Sequence, residues 1–250
     1  MNRQEIQFIR SLRQRSERLA QGVFVVEGIK GIIELANSTL IRKRIYCVAG
    51  MVDSLPENLH REAEVIGAKE MTRISQMSTP PGILAIAEIP VYDANEVFMA
   101  IKQAKVPFGL VAAHIQDPGN LGTLIRSADW FGFGGVFTTE PTTDPWSSKC
   151  VQATMGSLFR MPIAELNHTD SSDLLHYHLE MEGISYTQVD WKPGLIWVGS
   201  ESHGFSSISL PESSTPVHIP AHGSAESLNA GVAGSIVCAE IARSLQKPAS

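Results

Sequence analysis

The chain has 250 residues, 43% of them hydrophobic and 18% charged, with a formal net charge of −6. Such apolar content supplies a packed core and excludes wholesale disorder. No stretch approaches the roughly 18 consecutive apolar residues of a membrane span, and an acidic balance is not that of an ordinary nucleic-acid-binding domain.

The N-terminal residues alternate charged with apolar side chains and contain no continuous apolar stretch, so no secretory signal is expected. Ile6, Ile9 and Leu12, spaced by three, predict a first helix. Gly22 then introduces a strand over 23–26, a helix follows over 30–36, and further strands fall at 45–49, 65–66 and 82–87. This reads as a small α/β unit over 1–88, followed by a connector with a short helix over 89–106. From residue 107 the alternation is cleaner: strands at 109–114, 135–138, 184–189, 195–199 and 217–221, and helices at 121–131, 171–182 and 227–245. Near-continuous apolar strands between helices predict a mostly parallel sheet covered on both faces. In the last helix Leu228, Val232 and Ile236 form one stripe, and Val237, Ile241 and Leu245 an adjacent one.

Cys47, Cys150 and Cys238 are widely separated and form no C-x-x-C motif, which predicts buried free thiols rather than disulfides or a cysteine zinc site. Pro220 separates His218 from His222, and no carboxylates stand nearby at ligand spacing, so no metal is expected. Charge is unevenly spread. Residues 1–44 hold nine Lys/Arg against four Glu, a segment of +5, and leave −11 for the remainder. The basic run fits either a solvated helix face or an electrostatic footprint for a polyanion.

Three segments carry more than a plain core requires. In the first, the strand at 109–114 ends in Asp117-Pro118-Gly119, and Asn120 stands where a helix N-cap belongs. Arg126 follows six residues later; its guanidinium suits either a structural ion pair or an oxyanion or phosphate contact. In the second, an apolar strand runs into Gly199, with Glu201 and Gly204 in G-x-E-x-x-G spacing. Glycine at the carboxyl end of a strand lets a ligand approach backbone, or simply makes a tight turn. In the third, Ser227, Leu228 and Asn229 open the last helix, where the same groups serve capping and ligand binding. The Gly132–Gly135 cluster follows a helix and precedes a strand, the wrong order for a dinucleotide fingerprint.

Together these segments resemble the SpoU class of the SPOUT superfamily (the SpoU/TrmH family), S-adenosylmethionine-dependent RNA ribose 2′-O-methyltransferases. Asn120-Leu-Gly122-Thr-Leu-Ile-Arg126 is similar to the first family motif, Gly199, Glu201 and Gly204 to the second, and Ser227-Leu228-Asn229 to the third. Residues 149–162 resemble the family's S-x-G…F-R-x-P segment. The N-terminal part, through Arg15, Val23–Gly28 and Ser78–Ala85, is similar to the family's L30e-like substrate-binding domain. The resemblance implies a knotted (trefoil) α/β parallel-sheet methyltransferase domain over 107–250, an RNA-binding domain over 1–88, and a cytoplasmic homodimer needing neither metal nor membrane. S-adenosyl-L-methionine would lie against Gly199, Gly204, Ile219 and Leu228. Arg126 would activate the ribose hydroxyl, while Asn120, Glu201, Ser227 and Asn229 position loops and substrate. Arg13, Arg15, Arg18, Arg42, Lys43 and Arg44 are the expected RNA contacts. The implied substrate is 23S rRNA. A tRNA 2′-O-methyltransferase and a catalytically silent RNA-binding or ribosome-assembly protein are the alternatives.

Overall fold

A computed structural model describes residues 1–167, 170, 172–200, 204–205 and 208–246. They form two compact units: Met1–Pro90 with Asp144–Arg160, and Val91–Thr143 with the rest of the chain from Met161.

The first unit holds a four-stranded sheet of β1 (Val23–Glu27), β2 (Arg42–Val48), β3 (Ala63–Ile66) and β4 (Ile83–Glu88) in the order β1-β4-β2-β3. β4 runs antiparallel to both neighbours, and β2 and β3 are parallel. α1 (Arg3–Ser11) starts where the Asn2 side chain accepts from the Glu5 amide, and it buries Ile6 and Ile9 as their spacing predicts. These pack with Leu12, Tyr46, Met71, Leu84 and Ile86 in one core cluster. α2 (Arg15–Gln21) ends at Gly22, whose φ of 63° lies in the left-handed region that glycine adopts without strain. Glu27, at the end of β1, accepts from the Gln76 amide at 2.7 Å and from the Ser75 hydroxyl. Burial pushes its carboxyl above the ordinary range, against the pull of those hydrogen bonds.

Residues 144–160, expected with the C-terminal domain, belong to this first unit. Phe24 of β1 stacks on Trp146 at 4.8 Å and Phe159 at 6.1 Å between ring centroids. α8 (Ser148–Thr154) packs against the same strand. The contact is aromatic: Trp146 and Phe159 help to bury Phe24, which is fully covered.

The second unit is a six-stranded, all-parallel sheet in the order β10-β8-β9-β5-β6-β7. Its strands are β5 (Val106–Ala113), β6 (Phe133–Thr139), β7 (Ile163–Glu165), β8 (Leu175–Ser185), β9 (Gly194–Val198) and β10 (Thr215–His218). α6 (Ala94–Gln103), capped by Asp93, lies within the segment expected as a connector. Its Val97, Phe98 and Ile101 are core residues, packed with Val111, Phe137 and Trp197. Gly134 and Gly135 make that docking possible, since a Cβ on either would run into α6. The glycine cluster is thus a helix-docking surface.

One expected element is of the wrong type. Over the described part of 171–182 the expected helix is replaced by β8, which runs on through Ser185 and so takes in the start of the strand expected over 184–189; the chain turns at 186–188. The residues explain it: Leu175, Tyr177, Leu179 and Met181 alternate with His176, His178, Glu180 and Glu182, a period of two. All three cysteines are buried and free, and burial pushes the Cys47 and Cys238 thiols up.

Candidate active site

The first motif sits on α7 (Pro118–Phe131). Its N-cap is Asp117 rather than Asn120: the Asp117 carboxylate accepts from the Asn120 amide at 2.9 Å, and Pro118 fills the first helical position. Asp117 has the extended backbone of a cap, and its carboxylate reaches the third amide of the helix. The Asn120 side chain is left to reach across the fold. Its Oδ1 accepts from Asn229 Nδ2 at 2.7 Å, while Asn229 Oδ1 caps α9 (Ala230–Leu245) by accepting from the Val232 amide at 3.2 Å. One amide therefore starts a helix and joins the first motif to the third. The two helices then run close together. A Cβ on Gly231 would press on Thr123 at 3.0 Å, one on Gly234 would enter the space of Leu124, and the Ser127 and Ser235 hydroxyls bond at 2.7 Å. Val237 and Ile241 of the second predicted α9 stripe are buried, whereas Leu228, Val232 and Leu245 are exposed.

The second motif is a loop folded on itself at the end of β9. The Gly204 amide donates to the Ser200 carbonyl at 2.9 Å, Gly204 has a φ of 52°, and a Cβ on Gly199 would sit 2.9 Å from the Gly204 carbonyl oxygen. Both glycines are demanded by the turn itself. Glu201 lies outside the described residues.

A cavity of about 480 Å³ opens at this end of the sheet. Gly199, Gly204, Ile219, Ser227 and Leu228, drawn from two motifs and the loop after β10, all line it, with Leu179, Val198 and Phe205 forming apolar wall. Sequence reasoning missed Glu180, Met181 and Phe205, which also line it. Arg126 does not line the cavity. It is exposed on α7 and has no ion-pair partner among the described residues.

The basic N-terminal residues divide differently from expectation. Arg18 is 4% exposed and is no RNA contact: its Nε donates to Asp144 at 2.9 Å and its Nη1 to the Leu12 and Arg13 carbonyls at 2.7 and 2.9 Å. A buried guanidinium needs all of these acceptors to offset desolvation. Arg42, half-buried, pairs with Glu62 at 3.6 Å. Lys43 and Arg44 are exposed and pair with Glu88 and Glu5. Arg13 donates to the Ser75 carbonyl, and Arg13 and Arg15 are exposed. By unit, 14 Lys/Arg against 11 Asp/Glu give +3 in the first and 6 against 15 give −9 in the second, so the asymmetry persists with smaller amplitude. Among the described residues no helix is long and apolar enough to cross a membrane, and no group of three or more His, Cys, Asp or Glu is placed to hold a metal ion.

Comparison with known proteins agrees with this geometry. Residues 107–239 match the SpoU rRNA Methylase family, and residues 3–85 match the MRM3-like substrate binding domain. The chain is 26% identical to the 23S rRNA (guanosine(2553)-2′-O)-methyltransferase RlmP of Bacillus subtilis, over 94% of both chains. It is 25% identical to mitochondrial rRNA methyltransferase 3 of Mus musculus, over 94% of this chain and 71% of that one. Among solved structures, the AdoMet-bound rRNA methyltransferase from Sinorhizobium meliloti superposes with a TM-score of 0.82 at 27% identity, covering 97% of this chain and 95% of the other. With a family match over more than half its length, the chain belongs to the SpoU rRNA methylase family.

Proposed function

We propose that this chain is a ribose 2′-O-methyltransferase that uses S-adenosylmethionine to methylate 23S rRNA. The observation that carries the reading is the cavity of about 480 Å³ where Gly199, Gly204, Ile219, Ser227 and Leu228 meet. Its size is that of sites for small organic cofactors, roughly 300–1,000 Å³. Leu179, Val198 and Phe205 offer apolar surface to an adenine ring, and the backbone at Gly199, Ile219 and Leu228 offers hydrogen-bonding groups to the rest of the cofactor. Bound there, S-adenosylmethionine supplies a methyl group made electrophilic by its sulfonium.

The chain's own residues handle the other reactant. A ribose 2′-hydroxyl is a weak nucleophile until its proton is removed. Arg126, cationic and unpaired among the described residues, stabilises the developing alkoxide and holds the adjoining phosphate. Asn120, Asn229, Ser227 and Glu201 keep the loops around the reacting atoms in register. Because Arg126 does not line its own chain's cavity, we place it in the site of a second copy, in a homodimer built on α7 and α9. Exposed Trp130, Leu228 and Val232 on or beside those helices are consistent with such an interface. RNA phosphates fall to the exposed Arg13, Arg15, Lys43 and Arg44, with half-buried Arg42 behind them. The same reading takes the chain as cytoplasmic and its second unit as the family's trefoil knot.

Mapping ribose methylation in 23S rRNA and tRNA from parent and deletion strains tests the proposal. One 2′-O-methyl group lost from 23S rRNA supports it. Loss from tRNA instead makes the chain a tRNA enzyme, and no loss from either leaves an RNA-binding protein without transfer activity.

A further inference from the structure

Glu180 of β8 lines the cavity from a strand outside the three motifs, and its carboxylate has one side-chain partner, His178. A carboxylate only accepts hydrogen bonds, so the 3.1 Å contact between Glu180 Oε2 and His178 Nε2 places an N–H on Nε2. In the neutral ring Nδ1 then accepts from the Ser214 hydroxyl at 2.9 Å. His178 is itself 8% exposed and meets Phe205, another wall of the cavity, edge-on at 5.6 Å between centroids. A serine, a buried histidine and an aromatic ring thus hold one carboxylate at the cavity wall. Among the described residues lining the cavity, the ionisable groups are Glu180, Glu226 and His222, and none is lysine or arginine. The wall is therefore negative, within the unit that carries −9.

We infer that Glu180 is a further cofactor-binding residue, recognising the positive charge of the S-adenosylmethionine sulfonium, and that His178 is its positioning residue. The inference rests on the methyltransferase reading above. Methyl transfer removes the sulfonium charge, so a carboxylate here favours the substrate form of the cofactor over S-adenosylhomocysteine and helps expel the product. Coulomb attraction acts across the width of such a cavity without direct contact. Glu180 is partly solvated, with its side chain 57% exposed, and this keeps the effect moderate.

The test is calorimetry of the full chain with S-adenosylmethionine and S-adenosylhomocysteine, which share every group except the methyl and its charge. Glu180→Gln is expected to weaken S-adenosylmethionine about five-fold and S-adenosylhomocysteine by less than about two-fold. Glu180→Asp keeps the charge and is expected to keep the ratio of the two affinities. His178→Gln, which retains an N–H near the ε position, is expected to preserve that ratio, whereas His178→Ala lowers it. Equal weakening of both ligands by Glu180→Gln, or of neither, overturns the role of Glu180. An unchanged ratio in His178→Ala overturns the role of His178. Wild-type protein that binds neither ligand overturns the methyltransferase reading and this inference with it.

Discussion

In the first unit the guanidinium of Arg18 ends on Asp144 and two carbonyls, Arg44 ends on Glu5 and Lys43 on Glu88. In the second unit the guanidinium of Arg126 ends on no carboxylate among the described residues, and the neighbouring motif residues Asn120 and Asn229 bond to each other. A run of like charges therefore says little about a ligand, because folding supplies counter-charges from distant segments. An arginine that ends on no carboxylate is by itself an ordinary surface cation, and only its place in the Asn120–Arg126 motif singles it out.

Arg126→Ala draws the contrast most sharply. It is expected to slow single-turnover methyl transfer by about 10²–10³-fold, the scale of losing one transition-state donor. A full-rate variant would return Arg126 to the ordinary surface charges. Arg18→Ala should act on stability instead, lowering the unfolding free energy by about 3–5 kcal/mol in denaturant titration, because Asp144 is left buried without its partner. A loss below about 1 kcal/mol combined with weaker RNA binding would put Arg18 back among the RNA contacts.

Within the second unit, Gly234→Ala tests the closeness of α7 and α9. The added methyl meets Leu124, and a destabilisation of about 1–3 kcal/mol is expected from thermal unfolding. The smallest effect concerns His176, whose ring accepts from Trp197 Nε1 at 3.0 Å and whose pKa is pushed down by burial. The folded state therefore holds this proton less readily than the unfolded state does. Stability is fully present above the ordinary value of 6.5 and is lost as the pH falls through it toward the lowered value. His176→Asn, which keeps an acceptor near the Nδ1 position, should flatten melting temperature against pH in that window. An unchanged slope would assign the pH dependence elsewhere.

The places of the second and third motifs were legible because each is a local spacing at a strand end or a helix start. Gly199, Gly204 and Leu228 reach one cavity for that reason. What was not legible depends on partners far along the chain. Arg18 reads as one more surface arginine until Asp144 is brought beside it. Asn120 reads as a cap because both it and Asp117 are good cap residues, and only the backbone decides between them. The helix expected at 171–182 overlooks the strict alternation of His176, His178, Glu180 and Glu182 with apolar residues, a period of two that favours a strand.

The return of residues 144–160 to the first unit has a consequence for how the protein is made. Synthesis runs from the N-terminus, and domains ordinarily fold as they emerge. Here β1 to β4 are complete early, but Phe24 waits for Trp146 and Phe159, and Arg18 for Asp144. A four-stranded sheet, together with a charged side chain meant for burial, must persist without its later cover while β5 and β6 of the second unit are translated. The nascent chain thus carries Phe24 without its aromatic cover and Arg18 without its counter-ion through the middle of its own synthesis, a natural point for a chaperone to attend and for a truncated product to aggregate.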